Sequence, residues 1–119
     1  MTPSAETTRH CLALDLHDDP ALIAEYCQHH ERIWPEIAAS IRSAGIVDMQ
    51  IWRVGNRLFM VMETDARFDA GAKAIADANN PKVHEWEALM WRFQQPLPWA
   101  RAGEKWMAMD RIFDLRNQP

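Results

Sequence analysis

The feature that most constrains the fold of this chain is a pair of apolar-rich runs joined by the dipeptide Gly55-Asn56. The runs cover residues 46–54 and 57–64. Glycine and asparagine tolerate the positive φ angles of the tight turns between antiparallel strands, so the pattern predicts a β-hairpin. The second run is apolar at every position from Leu58 to Met62, and successive side chains of a strand point to opposite faces. Each face of this strand must therefore be covered.

On the N-terminal side of the hairpin, the sequence predicts a strand over residues 9–17 and then two helices. Asp18 or Asp19 can cap the first helix, because a proline follows at a position that suits the first turn. The second helix is predicted to begin at Pro35, since proline cannot lie inside a helix. Gly45 supplies the left-handed residue at which helices commonly stop.

On the C-terminal side, residues 66–90 have a helical pattern in which Pro81 opens a new helix. Residues 95–103 contain proline and tryptophan and are predicted to be a long connection that lies against the rest of the protein. Apolar residues alternate over 106–115, which predicts a fourth strand.

This order of elements predicts an α+β fold of the ferredoxin-like kind, a four-stranded antiparallel sheet with helices on one face. The other face would remain open. Because the strand at 57–64 is apolar on both sides, a second copy of the chain is expected to cover the open face. The predicted assembly is a homodimer of facing sheets, a dimeric α/β-barrel.

Composition excludes several classes of function. The chain has 119 residues, 48% hydrophobic and 25% charged, which indicates a single globular domain over 1–119 with a polar, flexible tail at 1–8. A formal charge of −4 without a basic, aromatic-interleaved cluster argues against a nucleic-acid partner. The sequence has neither a membrane span of roughly 18–20 apolar residues nor a signal peptide, so a cytoplasmic protein with no membrane partner is expected. Cys11 and Cys27 are interpreted as reduced core thiols.

The candidate chemistry lies in Tyr26, His30 and Trp34, which recur at four-residue spacing. Residues four apart lie on one face of a helix, so Tyr26 and His30 should point into the same space. Pro35 disfavours the helical conformation at Trp34, so the first helix should end between residues 29 and 33, with His30 near its C-terminus. The partial negative charge there favours imidazolium, which predicts a proton donor. Taken singly, such residues more often belong to a core than to an active site.

The pattern Tyr26-x-x-x-His30-x-x-x-Trp34-Pro35-Glu36 resembles that of the L-rhamnose mutarotases. The resemblance runs from about residue 9 to residue 115. Other matching features are Gly45, the strand sequence of residues 58–63, and Trp86 with a following Met90.

The resemblance implies a dimeric ferredoxin-like protein that interconverts the α and β anomers of a 6-deoxy-L-hexose, L-rhamnose first and L-fucose second. In that family the histidine matching His30 is the proton donor, and the residues matching Tyr26 and Trp86 contact the sugar. At two positions the residue differs from the one that the family's pattern has. Met49 stands where a substrate-contacting tyrosine is found, and Glu87 replaces the second of an adjacent tryptophan pair. We therefore predict His30 and Tyr26 as catalytic residues, with Tyr26, Met49, Trp86 and Glu87 as sugar-binding residues.

The chemistry of these residue types suits the reaction. Opening a pyranose ring requires a proton on the ring oxygen and removal of one from the anomeric hydroxyl. A histidine can transfer such protons near neutral pH, and a tyrosine hydroxyl can hold or relay one. Tryptophan packs on the C–H face of a sugar. No metal or other cofactor is expected. Met60 and Met62 on the second strand of the hairpin are interpreted as ordinary core.

Other functions occur on the same fold. One alternative is a non-catalytic sugar-binding or effector-binding module, which would bind a sugar without changing its anomeric ratio. Another is a haem-binding or monooxygenase-type protein in which His30 would be the axial ligand. The remaining histidines have no helical ligand spacing with an acidic partner, so solvent-facing or capping roles are predicted for His10, His17, His29 and His84.

Overall fold

A computed structural model describes residues 6–119 and has the predicted alternation of strands and helices. The elements in chain order are β1 (Thr8–Leu16), α1 (Pro20–Glu31), α2 (Pro35–Ser43), β2 (Ile46–Val54), β3 (Arg57–Thr64), α3 (Ala70–Ala78), α4 (Pro81–Trp91), β4 (Gln94–Gln95) and β5 (Met107–Ala108), followed by a short 3₁₀ helix (Leu115–Asn117).

The strands form one antiparallel sheet in the order β2-β3-β1-β4, with β5 also paired to β1. This is the strand order of a ferredoxin-like fold, so the predicted fold class is confirmed. On the central strands Met60 lies opposite both Leu12 of β1 and Ile51 of β2. These three side chains therefore share one face of the sheet.

Local sequence signals begin and end the first two helices. The Asp19 side chain accepts hydrogen bonds from the backbone N–H groups of Ala21 and Leu22, at 2.9 and 3.3 Å. Pro35 opens α2 as predicted. Gly45 follows α2 with a φ of +93°, and a Cβ there would lie 2.9 Å from the backbone nitrogen of Phe68. No other residue type fits that position without strain.

The helices cover one face of the sheet. Leu16 and Leu58 of the sheet are buried together with residues of α1, α2 and α4, and the segment after α4 adds Phe93, which is 0% exposed. The opposite face carries the alternate residues of β2, including Trp52 and Val54, which are 63% and 67% exposed. The sheet is therefore open on one side, as predicted.

The predicted fourth strand over 106–115 is wrong in extent. Only Met107–Ala108 pairs with β1, and a further hydrogen bond joins the Met109 nitrogen to the Cys11 oxygen at 2.8 Å. Beyond it the chain leaves the sheet, and Ile112 is 96% exposed. The pairing at this edge is divided, because Gln94–Gln95 occupies the far end of β1. Alternating apolar residues indicate surfaces to be buried, and here they do not indicate a continuous strand.

Two smaller predictions also need correction. Helix α3 begins only at Ala70, because the Asp69 side chain caps it by accepting from the Ala72 nitrogen at 2.9 Å. Cys27 is exposed on α1, so it is not a core thiol, whereas Cys11 is half-buried. The first strand begins at Thr8, and residues 1–5 of the predicted tail lie outside the described residues.

Candidate active site

A cavity of about 300 Å³ lies between the helices and the covered face of the sheet. Its volume is at the lower end of the roughly 300–1,000 Å³ typical of small-molecule sites. All five residues predicted for the site contribute to its lining, namely Tyr26, His30, Met49, Trp86 and Glu87. Residues far apart in sequence are thus brought together around one cavity.

Helix α1 supplies Tyr26 and His30 to this cavity, one helical turn apart. Tyr26 is buried and His30 is half-buried, with their ring centroids 4.2 Å apart. The His30 Nδ1 atom lies 2.8 Å from the backbone oxygen of Tyr26. A carbonyl oxygen only accepts, so Nδ1 must carry the proton that it donates. The other ring nitrogen, Nε2, is then left for proton exchange.

Trp86 of α4 holds the imidazole from the other side. Its ring meets His30 edge-on, with centroids 5.6 Å apart, and meets Trp34 at 5.1 Å with an interplanar angle of 70°. Such edge-to-face pairs are favoured arrangements of aromatic rings. Trp34 precedes the proline of α2 in an extended conformation, as its position predicted. Trp86 therefore lies between the acid/base candidate and an aromatic support.

The expected imidazolium at His30 is not what the structure favours. Burial lowers the pKa of His30 from its ordinary value of 6.5, and the hydrogen bond to the Tyr26 carbonyl opposes only part of this decrease. The charge of the helix end was the only influence visible in the sequence. Because desolvation of the charged form outweighs it, His30 is mainly neutral at pH 7, and its Nε2 can act first as a base.

The pKa of Tyr26 is shifted in the opposite direction from that of His30. Burial raises the pKa of Tyr26 to about 12, and the neighbouring Gln94 side chain opposes part of this rise. The phenol therefore stays protonated at any physiological pH. It can hold a sugar oxygen by donating a hydrogen bond, but it is a poor group for transferring a proton.

The two positions that depart from the family pattern have different surroundings. Met49 lies on β2 and lines both the cavity and an adjoining surface groove of about 460 Å³, which also reaches His30. Glu87 lines the cavity, but its carboxylate forms an ion pair with Lys105. Lys105 in turn lies 4.5 Å from the centroid of the Trp91 ring. Glu87 is thus less free to accept from a sugar than its position alone indicates.

Several polar lining residues were missed by sequence reasoning. On one side, Lys73 and Asp77 form an ion pair of 2.8 Å, and Ser40 lies 3.3 Å from Asp77. On another side, Gln94 is buried against Tyr26. No short motif marks these positions, because each reaches the cavity only through the packing of its element.

Met60 and Met62 also line the cavity, so they are more than the ordinary core that the sequence indicated. Among the other histidines, the Nε2 atom of His10 lies 3.0 Å from the Thr64 hydroxyl, and Nδ1 of His17 lies 3.1 Å from the Gln95 side chain. Within residues 6–119, no three histidine, cysteine or acidic side chains come together as a metal site would require. No helix in the same range is long and apolar enough to cross a membrane.

Comparisons with known proteins agree with this geometry. A family model described as L-rhamnose mutarotase matches residues 9–115. A protein of Xanthomonas campestris pv. campestris named L-fucose mutarotase is 50% identical over 109 residues, which cover 90% of this chain and 87% of that protein. An L-rhamnose mutarotase of Burkholderia cenocepacia is 31% identical over 106 residues, covering 87% and 96%. The crystal structure of an L-rhamnose mutarotase from Formosa agariphila superposes with a TM-score of 0.67 at 20% identity, over 91% of this chain and 98% of that one.

Proposed function

The chain belongs to the L-rhamnose mutarotase family and is an isomerase of sugar anomers, and from this premise we propose that it acts on 6-deoxy-L-hexoses with His30 as its acid/base. The observation that carries the proposal is the arrangement at His30. His30 lines a small cavity, its Nδ1 is held by the Tyr26 carbonyl, and its Nε2 has no hydrogen-bond partner among residues 6–119.

We propose that one group handles both proton transfers. The neutral imidazole Nε2 removes the proton of the anomeric hydroxyl and returns it to the ring oxygen as the bond between C1 and that oxygen breaks. Both oxygens are bonded to C1, so one nitrogen can reach each of them with little movement. Rotation about the C1–C2 bond then presents the other face of the aldehyde, and reversal of the same transfers closes the ring as the other anomer.

The remaining residues are assigned to binding. The protonated Tyr26 hydroxyl donates to a sugar oxygen, and Trp86 packs on a C–H face. Met49, Met60 and Met62 give the cavity an apolar wall. The 6-methyl group of a deoxy sugar can pack against such a wall, whereas a 6-hydroxyl would lose its hydrogen bonds there.

For the preferred sugar we propose L-fucose, with L-rhamnose second, which reverses the order expected from the sequence. The support is that a relative 50% identical to this chain is named for L-fucose, while the relative named for L-rhamnose above is 31% identical. The two sugars differ in hydroxyl configuration at C2 and C4. Met49 and Glu87 replace residues expected to contact hydroxyls, so a changed preference is consistent with both exchanges.

We expect exchange NMR on the purified protein to show faster anomer exchange for L-fucose than for L-rhamnose. L-Galactose, which is L-fucose with a 6-hydroxyl, should be slower by about tenfold or more, because apolar sites discriminate against an added hydroxyl by up to roughly a hundredfold. Faster exchange of L-rhamnose would restore the original order. Binding of both deoxy sugars without exchange would contradict catalysis, and inactivity on both would reject the substrate class.

We also propose that the chain forms a homodimer through the open face of its sheet. Exposed apolar side chains are concentrated on this face and on the segment after β5, where Phe113 is 64% exposed. Trp52 projects from the same face, opposite Phe59 of β3. Met60 and Met62 point instead toward the cavity, so they are not residues of this interface. Patches of this kind on small proteins commonly mark interfaces.

The dimer predicts a specific effect of Trp52→Glu. In sedimentation at micromolar concentration the wild type should be a dimer and the variant a monomer with unchanged helix content, because Trp52 is 63% exposed in the single chain. Ile75→Glu on α3 is the matched control, since Ile75 is 66% exposed on the helical side. A monomeric wild type, or a Trp52→Glu dimer as stable as the wild type, would contradict the proposal.

A further inference from the structure

The side chain of Gln94 carries a buried polar atom to which residues 6–119 offer no hydrogen bond. The residue is 4% exposed and lies directly after α4, with its backbone paired to Leu16 of β1. Its side-chain oxygen Oε1 is buried and accepts no hydrogen bond from any residue in the range 6–119. Among the buried side-chain nitrogen and oxygen atoms of that range, it is the one without a partner.

An unpaired buried acceptor destabilises a folded chain, so native structures seldom keep one without a use. The amide of Gln94 interacts with the Tyr26 phenol, and Oε1 is the atom of the side chain left unpaired. Turning of the side chain toward the cavity would expose Oε1 to a donor of a bound ligand, which would satisfy this group.

The position of Gln94 links it to the candidate active site. Its side chain lines the same cavity as His30 and Tyr26, and it is close enough to the Tyr26 phenol to influence that group. The wall that carries Met60 and Met62 offers no comparable acceptor. A ring sugar bound beside His30 would therefore share the cavity with Gln94, whose Oε1 has no partner among residues 6–119.

We propose that Gln94 is a substrate-binding and specificity-determining residue, whose Oε1 accepts a hydrogen bond from a pyranose hydroxyl on C2, C3 or C4. The proposal rests on the proposed function, since it takes the cavity to be the sugar site. The recognised hydroxyl does not take part in ring opening. Gln94 thus selects among 6-deoxy-L-hexoses by the configuration of their hydroxyls, while His30 performs the same proton transfers on each.

The test compares Gln94→Met with Gln95→Met. Methionine has nearly the shape of glutamine but lacks the amide, so the variant removes the acceptor with little change of volume. Gln95 is the matched control, because it is exposed and its side chain bonds His17. For L-fucose we expect kcat/KM from exchange NMR to fall at least about tenfold in Gln94→Met and to stay at the wild-type value in Gln95→Met. The thermal midpoints of both variants are measured alongside, so that a loss of folding is not mistaken for a loss of binding.

Deoxy sugars separate a binding role from a structural one. The wild type should lose at least about tenfold in kcat/KM on one of the 2-, 3- and 4-deoxy analogues of L-fucose, and Gln94→Met should show no further loss on that same analogue. Additive losses on every analogue would overturn the proposal. So would wild-type kinetics in Gln94→Met, or a lowered thermal midpoint with unchanged kinetics.

Titration of sugar binding by saturation-difference NMR distinguishes this inference from the proposed function. If the wild type binds L-fucose without anomer exchange and Gln94→Met binds it at least about tenfold more weakly, catalysis is rejected and the role of Gln94 stands. Catalysis that is unaffected by Gln94→Met rejects only the inference. A wild type that neither binds nor interconverts any of these sugars rejects both.

Discussion

His30→Asn should reduce the rate of anomer exchange by roughly a hundredfold or more, with the fold intact. Asparagine can replace the hydrogen bond to the Tyr26 carbonyl but cannot accept and release a proton near neutral pH. The exchange rate on L-fucose is the measurement, after subtraction of the rate without protein. His84→Asn is the control, because His84 is exposed on α4 and does not line the cavity. A His30→Asn variant with wild-type rates would reject His30 as the acid/base.

The pH dependence of the same reaction checks the direction of proton transfer. The pKa of His30 is lowered, so the neutral, basic form persists as the pH falls through 6.5. The decline in rate on acidification should therefore have its midpoint below pH 6.5, and His30→Asn should show no such inflection. If the reaction instead required imidazolium at the outset, the rate would rise as the pH falls. That outcome would restore the role expected from the helix end.

The largest loss of stability is expected for Trp86→Ala, at about 3–5 kcal/mol, the usual cost of removing a large aromatic side chain from a core. Trp86 is 7% exposed and contacts the rings of both His30 and Trp34. Typical domains have only about 5–15 kcal/mol of total stability, so this one change removes a large part of it. Chemical denaturation measures the loss, and the exchange rate should fall with it because the imidazole loses its support.

Two further variants make this result specific. Trp86→Phe retains an aromatic edge and should cost clearly less, so activity can be measured even where Trp86→Ala does not fold. Trp91→Ala is the control on the same helix, because Trp91 is 38% exposed and its cation–π contact with Lys105 is worth about 1 kcal/mol. Equal losses in Trp86→Ala and Trp91→Ala would show that Trp86 is not a central support of the site.

The parts of the fold that were predicted correctly depend on short-range sterics. Pro35 and Gly45 bound α2, and the Gly55-Asn56 turn joins β2 to β3, because the allowed backbone angles of these residues act wherever they occur. The C-terminal strand was predicted less well. How far it extends depends on which parts of the β1 edge remain free, and β4 already takes one of them.

In the site, the four-residue spacing was enough to place Tyr26 and His30 on one face of a helix, since that spacing has this result in any α-helix. The pKa shifts of both residues depend on tertiary packing, because they arise from burial that no spacing in the sequence reveals. Tertiary packing also pairs Glu87 with Lys105 and leaves Oε1 of Gln94 without a partner among residues 6–119. These contacts join residues distant in sequence, and they exist only once the hydrophobic core has brought the elements together.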